Sequence, residues 1–312
     1  MTTVYLHIGT PKTGSSSLQG FLFSHRDKLL RQGVLYPQSG IPDRGSTICF
    51  AHHNLTWSFT KDINKHYDKK AGDWEDIEKE INELHQKPEK VILSAESLYD
   101  LLAPEKISLI KNYLKGYDTK IIVYLRNQYE YFRSYYCLRI KVGYSKSFRQ
   151  FILEHKEQGN YYKMLSPWAE AFGKENIIVI PYDKRGVINE FLAKTNIDID
   201  LETNGDKDID KITERRNVTP DYKALKLMRF INKTVPANRI TQKVRVAIQQ
   251  FYKTESRKPD SQLFNTIAQI PDFLINSDFM TETERVEIMK LFDESNQKVA
   301  QEYMGLLDWK LT

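Results

Sequence analysis

Lysine, glycine and hydroxyl residues crowd one short stretch near the start of the chain, Gly9-Thr10-Pro11-Lys12-Thr13-Gly14-Ser15-Ser16-Ser17. Two glycines bracket a turn carrying one cation, and the hydroxyls of Thr13, Ser15, Ser16 and Ser17 sit in it or follow it. Such a stretch binds anions when its backbone N–H groups converge and a helix begins behind it, adding the positive end of the helix dipole. The flanking elements supply both conditions. Val4-Tyr-Leu-His-Ile8 is an apolar run of strand length, which Gly-Thr-Pro ends with a turn. Gly14-Ser-Ser-Ser then opens a helix expected to run to about Gln32, with Leu18, Phe21, Leu22, Leu29 and Leu30 roughly on one face. The stretch reads as a phosphate cradle; the bland alternative is a strand–helix turn with an incidental lysine.

A nucleoside-triphosphate loop of the form Gly-x-x-x-x-Gly-Lys-Ser/Thr puts its lysine after the second glycine. Here the glycine spacing is right, but Ser15 occupies that place and the lysine lies inside the loop, at Lys12. The strand that could offer Mg²⁺ an acid, Val91-Ile-Leu-Ser-Ala-Glu96, ends in a glutamate and holds no aspartate. A second cation follows another apolar strand in Tyr124-Leu-Arg126, and Ser134 comes eight positions later on the next helix. Carboxyl ends of parallel strands are where open α/β sheets place ligands, and a guanidinium fork with a hydroxyl suits a phosphate. The structural alternative pairs Arg126 with Glu130.

Around these residues the chain alternates apolar strands with amphipathic helices. Strands are expected at 4–8, 33–37, 90–94, 120–125 and 176–181, and helices near 73–87, from Pro104, from Arg126 to Lys141, and over 147–158 and 161–172. Continuous apolar strands between helices argue for an α/β fold, a P-loop-type parallel sheet flanked by helices. From about residue 201 strand signals vanish and the pattern is helical, notably at 219–232 and 282–304. The expected organisation is an α/β core over 1–200 with a helical C-terminal portion, 201–312, packed on the same domain.

The 312 residues are 40% apolar and 28% charged, a globular balance. No run approaches a membrane span, and the N-terminus enters a strand with no leader-like segment, so a cytoplasmic protein without a transmembrane segment is expected. Two cysteines, Cys49 and Cys137, are too few for a disulfide framework. A net charge of +5 fits anionic small ligands, and without a dense Lys/Arg stripe no nucleic-acid partner is expected.

The displaced lysine resembles the 5′-phosphosulfate loop of sulfotransferases that use 3′-phosphoadenosine 5′-phosphosulfate (PAPS). Arg126 and Ser134 match that family's 3′-phosphate motif in spacing. Trp168-Ala-Glu-Ala-Phe-Gly173, leading through Asn176-Ile-Ile-Val-Ile-Pro to Tyr182-Asp, is similar to its late strand. Arg215-Arg216-Asn217-Val-Thr-Pro220 is similar to a nucleotide-covering segment of bacterial members. The resemblance spans about residues 3–220. It implies sulfuryl transfer from PAPS, leaving 3′-phosphoadenosine 5′-phosphate (PAP), with no metal. Pro11, Lys12, Thr13, Gly14, Ser15, Ser16, Ser17, Arg126, Ser134, Tyr182, Arg215, Arg216 and Asn217 would hold the nucleotide, Lys12 also stabilising the leaving phosphate.

An acceptor hydroxyl needs a base. Glu96 resembles the glutamate base of glycan sulfotransferases, although Ser97 replaces the lysine usual beside it. His52 and His53, in the long polar connection 38–72, are the rival bases, since histidine titrates near neutrality. Trp57 is a candidate sugar-stacking surface, and Tyr161, Tyr162 and Lys163 are candidate acceptor contacts. A carbohydrate or glycan acceptor is expected. A lipid or small natural product, a P-loop kinase, and a non-catalytic nucleotide-binding protein are the alternatives.

Overall fold

The apolar runs become five strands: β1 (Thr3–Gly9), β2 (Val34–Leu35), β3 (Lys90–Ser94), β4 (Asp118–Leu125) and β5 (Ile177–Pro181). Between and after them come α1 (Ser15–Ser24), α2 (Arg26–Arg31), α3 (His53–Trp57), α4 (Trp74–Glu83), α5 (Pro104–Tyr113), α6 (Gln128–Lys141), α7 (Phe148–His155), α8 (Tyr161–Phe172) and α9 (Val187–Thr195). Towards the C-terminus follow α10 (Tyr222–Thr234), α11 (Glu282–Met289) and α12 (Asp293–Val299). This computed structural model describes residues 1–43, 49–199, 222–234 and 279–307. Among them, no helix is long and apolar enough to cross a membrane.

The chain divides into two compact units. The first takes in Met1–Asn127 with the described parts of Asn160–Thr213 and Glu294–Thr312; the second takes in Gln128–Gly159 and the described part of Glu214–Asp293. Helices α6 and α7 group with the C-terminal helices because their aromatic faces form a core with them. Tyr129, Phe132, Tyr136, Phe148 and Phe151 pack with Leu225, Met228, Ile288 and Phe292.

In the first unit all strand pairs are parallel, in the order β2-β3-β1-β4-β5. Alternation along each strand sends side chains to two apolar layers. Val4, Leu6, Ile8, Val91 and Leu93 face the layer of α4, α5 and α8, capped by Trp74, Ile107 and Trp168. Ile92, Ile122 and Tyr124 face α1, α2 and α9 through Leu18, Phe21, Leu29 and Phe191. The fold is thus an α/β parallel sheet covered on both faces, with further helices in the C-terminal region.

The helix expected to reach Gln32 is broken. It stops at Ser24, and His25 (φ −105°) turns the chain into α2. The backbone N–H of His25 and its Nδ1 both bond to Phe21 O, at 3.0 and 2.9 Å, closing the last turn of α1. Beyond the turn Leu29 is buried while Leu30 is exposed.

Candidate functional site

The carboxyl edge of the sheet carries the chemistry. The 10–14 loop follows β1, Glu96 follows β3, Arg126 follows β4 and Tyr182 follows β5, all within the first unit. The central strand β1 lies between β3 and β4, where successive connections leave in opposite directions, the switch point at which open sheets hold ligands.

The loop is built by its own hydroxyls. Thr10 Oγ1 donates to Tyr124 O at 2.6 Å, anchoring the loop on β4. Thr13 Oγ1 donates back to Thr10 O at 2.5 Å. Thr10, Thr13 and Ser15 are buried, whereas Ser16 is exposed and Ser17 half-buried. Of the hydroxyls expected to point at an anion, Thr13 therefore shapes the loop. Lys12 adopts φ +69°, a left-handed conformation costing a side-chain-bearing residue roughly 1–2 kcal/mol. Strain of this kind is characteristic of functional turns. Gly9 (φ +110°) is required by contact as well: a Cβ there would lie 2.9 Å from Glu96 O. Loop and Glu96 are thus pressed backbone to backbone.

Gly14 caps α1 in the left-handed region, and no side chain caps the helix. Its first turn holds no acid. Gly14 O accepts from the N–H groups of Ser17 and Leu18, at 2.9 and 3.2 Å; the start of α1 ahead of them, with no side-chain cap and at the positive end of the dipole, suits an anion, so the residues present fit a phosphate-bearing ligand. Among the described residues, no group of three or more His, Cys, Asp or Glu side chains could hold a metal ion.

Arg126 is tied to the loop rather than standing apart from it. Its Nη1 donates to Lys12 O at 3.1 Å, and its guanidinium lies 5.2 Å from the centroid of the Tyr182 ring. Tyr161, fully buried, donates its hydroxyl to Arg126 O at 2.6 Å. It is a strut for the arginine rather than the acceptor contact the sequence suggested. Glu130 lies 3.7 Å from Arg133.

Glu96 is half-buried on the turn after β3. Desolvation by surrounding protein is the largest influence on its carboxyl and raises its pKa; a hydrogen bond from Ser15 and the positive charge of Lys12 oppose the rise, and Asp100 adds to it. The residue at the triphosphate-loop lysine position thus turns towards the candidate base. Asp100 itself is raised by desolvation.

The two rival histidines separate. His52 is fully buried and replaces a missing strand neighbour: β2 pairs only with Lys90 and Val91, leaving the far end of β3 unpaired on that side. There the backbone N–H of His52 donates to Ser94 O at 2.8 Å, while Ser94 N–H donates to His52 Nδ1 at 3.1 Å. Nε2 donates to Pro37 O at 3.0 Å. Both ring nitrogens are committed to backbone, and burial pulls the ring down to a pKa of about 4. This geometry corrects the expectation of His52 as a base. His53 instead stacks on Trp57, centroids 5.4 Å apart, and Trp57 lies 5.8 Å from the His66 ring. Helix α3 joins the Glu96 turn through Ser97 Oγ and Thr56 Oγ1, 2.9 Å apart.

Ser134 lies midway along α6, half-buried, in the second unit. Tyr162 stacks on Tyr303 at 6.0 Å, and Lys163 is exposed on α8. Arg215, Arg216 and Asn217 lie outside the described residues. Thr10, Asp100 and the pair His7 and Ser94 escaped the motif reading. Only the last pair left a signal, two polar residues inside strands that otherwise read as apolar.

No family model matches this chain. An uncharacterised protein of Archaeoglobus fulgidus is 26% identical over 220 residues, 69% of this chain and 54% of that protein, so the chain spans about half the length of the curated relative it matches. The crystal structure of a sulfotransferase from Alicyclobacillus acidocaldarius is similar with a TM-score of 0.38 at 16% identity, over 69% of this chain and 96% of that chain.

Proposed function

We propose that this edge binds PAPS and transfers its sulfuryl group to an acceptor hydroxyl, with Lys12 facing the departing phosphate and Glu96 as the base. The observation that carries the reading is the arrangement of the loop: its lysine is inside the turn with its carbonyl held by Arg126, while Ser15 faces Glu96. A triphosphate loop would need the lysine where Ser15 stands.

Each residue then has a distinct task. The N–H groups of Thr13 to Ser16 and the hydroxyls of Ser16 and Ser17 hold the 5′-phosphate at the start of α1, which no side chain caps. Lys12 supplies positive charge where negative charge grows as the S–O bond to that phosphate breaks. Arg126, braced by Tyr161, presents its fork of N–H donors to the nucleotide's 3′-phosphate. Glu96 accepts the acceptor's proton as the new O–S bond forms; desolvation makes it a stronger base than an ordinary carboxylate.

The acceptor is proposed to be a carbohydrate. The stacked rings of His53 and Trp57 stand on the helix tied to the Glu96 turn, and an aromatic face beside a base suits the apolar face of a sugar. The test is transfer of label from radiolabelled PAPS to a panel of glycan, lipid and small phenolic acceptors, with Glu96→Gln as control. Label on a glycan, lost in Glu96→Gln, supports the proposal. Label only on lipid or phenol overturns the acceptor assignment, and phosphoryl transfer from ATP with Mg²⁺ in its place overturns the reaction.

A further inference from the structure

We propose that His7, Ser94 and Gln19 form a positioning cluster that sets the donor loop against Glu96, an inference that rests on reading this edge as a sulfuryl-transfer site. His7 and Ser94 are register partners on β1 and β3, each two or three residues before the loop or Glu96. Both face the apolar layer beneath α1, and His7 Nδ1 and Ser94 Oγ lie 2.7 Å apart. Gln19, one turn into α1, donates from Nε2 to the same Ser94 Oγ at 3.1 Å. His7 and Ser94 are fully buried and Gln19 nearly so.

A layer built only for stability would place apolar side chains here, because burying polar groups costs free energy that their mutual hydrogen bonds barely return. The cluster is not even complete. His7 Nε2 is buried with no hydrogen-bond partner among the described residues, against the edges of the Tyr124 and Phe191 rings. Directional bonds give what apolar packing does not, a single height and rotation of α1 over β1 and β3. Because the start of α1 is the anion cradle and the end of β3 leads to Glu96, that register sets the distance between donor phosphate and base. The backbone of Ser94 also engages His52, so the cluster extends to the helix bearing His53 and Trp57.

The test compares the full chain with the apolar triple variant His7→Leu, Gln19→Leu, Ser94→Ala, and with His7→Asn, whose amide can replace Nδ1. Thermal unfolding, hydrogen exchange over residues 13–20 and PAP binding are measured on each. The expected result is a triple variant at least as stable as wild type, with faster exchange over 13–20 and PAP affinity lowered about tenfold, the size of one lost charge-assisted hydrogen bond. His7→Asn is expected to keep wild-type exchange and affinity. A stable triple variant with wild-type exchange overturns the proposal, and so does a triple variant that unfolds, since the cluster would then serve stability. If wild type binds no PAP, the sulfuryl-transfer reading fails, and the exchange comparison still decides the positioning role.

Discussion

The guanidinium of Arg126 holds the carbonyl of Lys12 from the end of the neighbouring strand, Nη1 to O at 3.1 Å. One residue proposed to bind the nucleotide therefore also fixes the backbone of the residue proposed to stabilise the leaving group. Replacing it must act twice. Arg126→Ala is expected to lower PAP affinity by about 2–3 kcal/mol, a charged hydrogen-bonding partner lost together with the loop's brace. Arg126→Lys should recover little, because an ammonium lacks the fork that can reach phosphate and carbonyl together. Tyr161→Phe, which removes the strut on Arg126 O, should weaken binding less, by about 1 kcal/mol. Calorimetric titration with PAP measures all three.

Lys12 carries backbone strain at φ +69° that glycine would not feel. Lys12→Gly is expected to leave the melting temperature unchanged or raised, by up to about 1 kcal/mol of stability. Turnover should collapse far more than PAP affinity, since the ammonium acts on charge that grows only in the transition state. Equal losses in turnover and affinity would remove that role.

With Glu96 as the proposed base, its raised pKa is expected to place the acid limb of sulfuryl transfer at higher pH than an unperturbed glutamate would. Turnover falls as the pH drops through that pKa, because a protonated carboxyl cannot accept the acceptor's proton. Asp100→Asn removes one negative neighbour and should move the limb to lower pH. Glu96→Gln should abolish transfer at every pH and stabilise the fold at neutral pH, where a desolvated charge costs free energy. Sulfuryl-transfer rates and melting temperatures across pH measure both.

Two buried histidines are expected to lower stability in acid. His7 and His52 have folded pKa values of about 3 and about 4, against 6.5 when unfolded. With folded values depressed, the unfolded chain binds the protons first. Stability is full above pH 6.5 and falls as the pH drops towards 4 and then 3. At about 1.4 kcal/mol for each pKa unit, His52 alone withdraws about 3 kcal/mol by pH 4. His52→Gln, if it keeps the bonds to Ser94 and Pro37, should flatten that part of the curve in a denaturant titration.

Local pattern made the scaffold readable. Continuous apolar runs flanked by turn residues gave β3 and β4 close to their observed ends, and Pro104 marked the start of α5. The glycine-bounded loop and the residues ending β3, β4 and β5 were legible for the same reason, since each is a strand end read in one dimension. What was hidden depends on contacts distant in sequence. His52 looked like a free imidazole until the shortness of β2 left β3 a vacant edge for it to fill. Tyr161 read as a candidate acceptor contact, yet its hydroxyl binds the carbonyl of Arg126, 35 positions away. The break at His25 and the grouping of α6 with the C-terminal helices follow from which apolar faces find partners, which periodicity alone does not fix.

The most direct measurement is calorimetric binding of PAP to wild type and Arg126→Ala, beside ATP with Mg²⁺. The expected result is micromolar or tighter binding of PAP, unmatched by ATP and lost in the variant. Binding of ATP with Mg²⁺ in preference to PAP, or of neither, would contradict the assignment of this edge as a PAPS site.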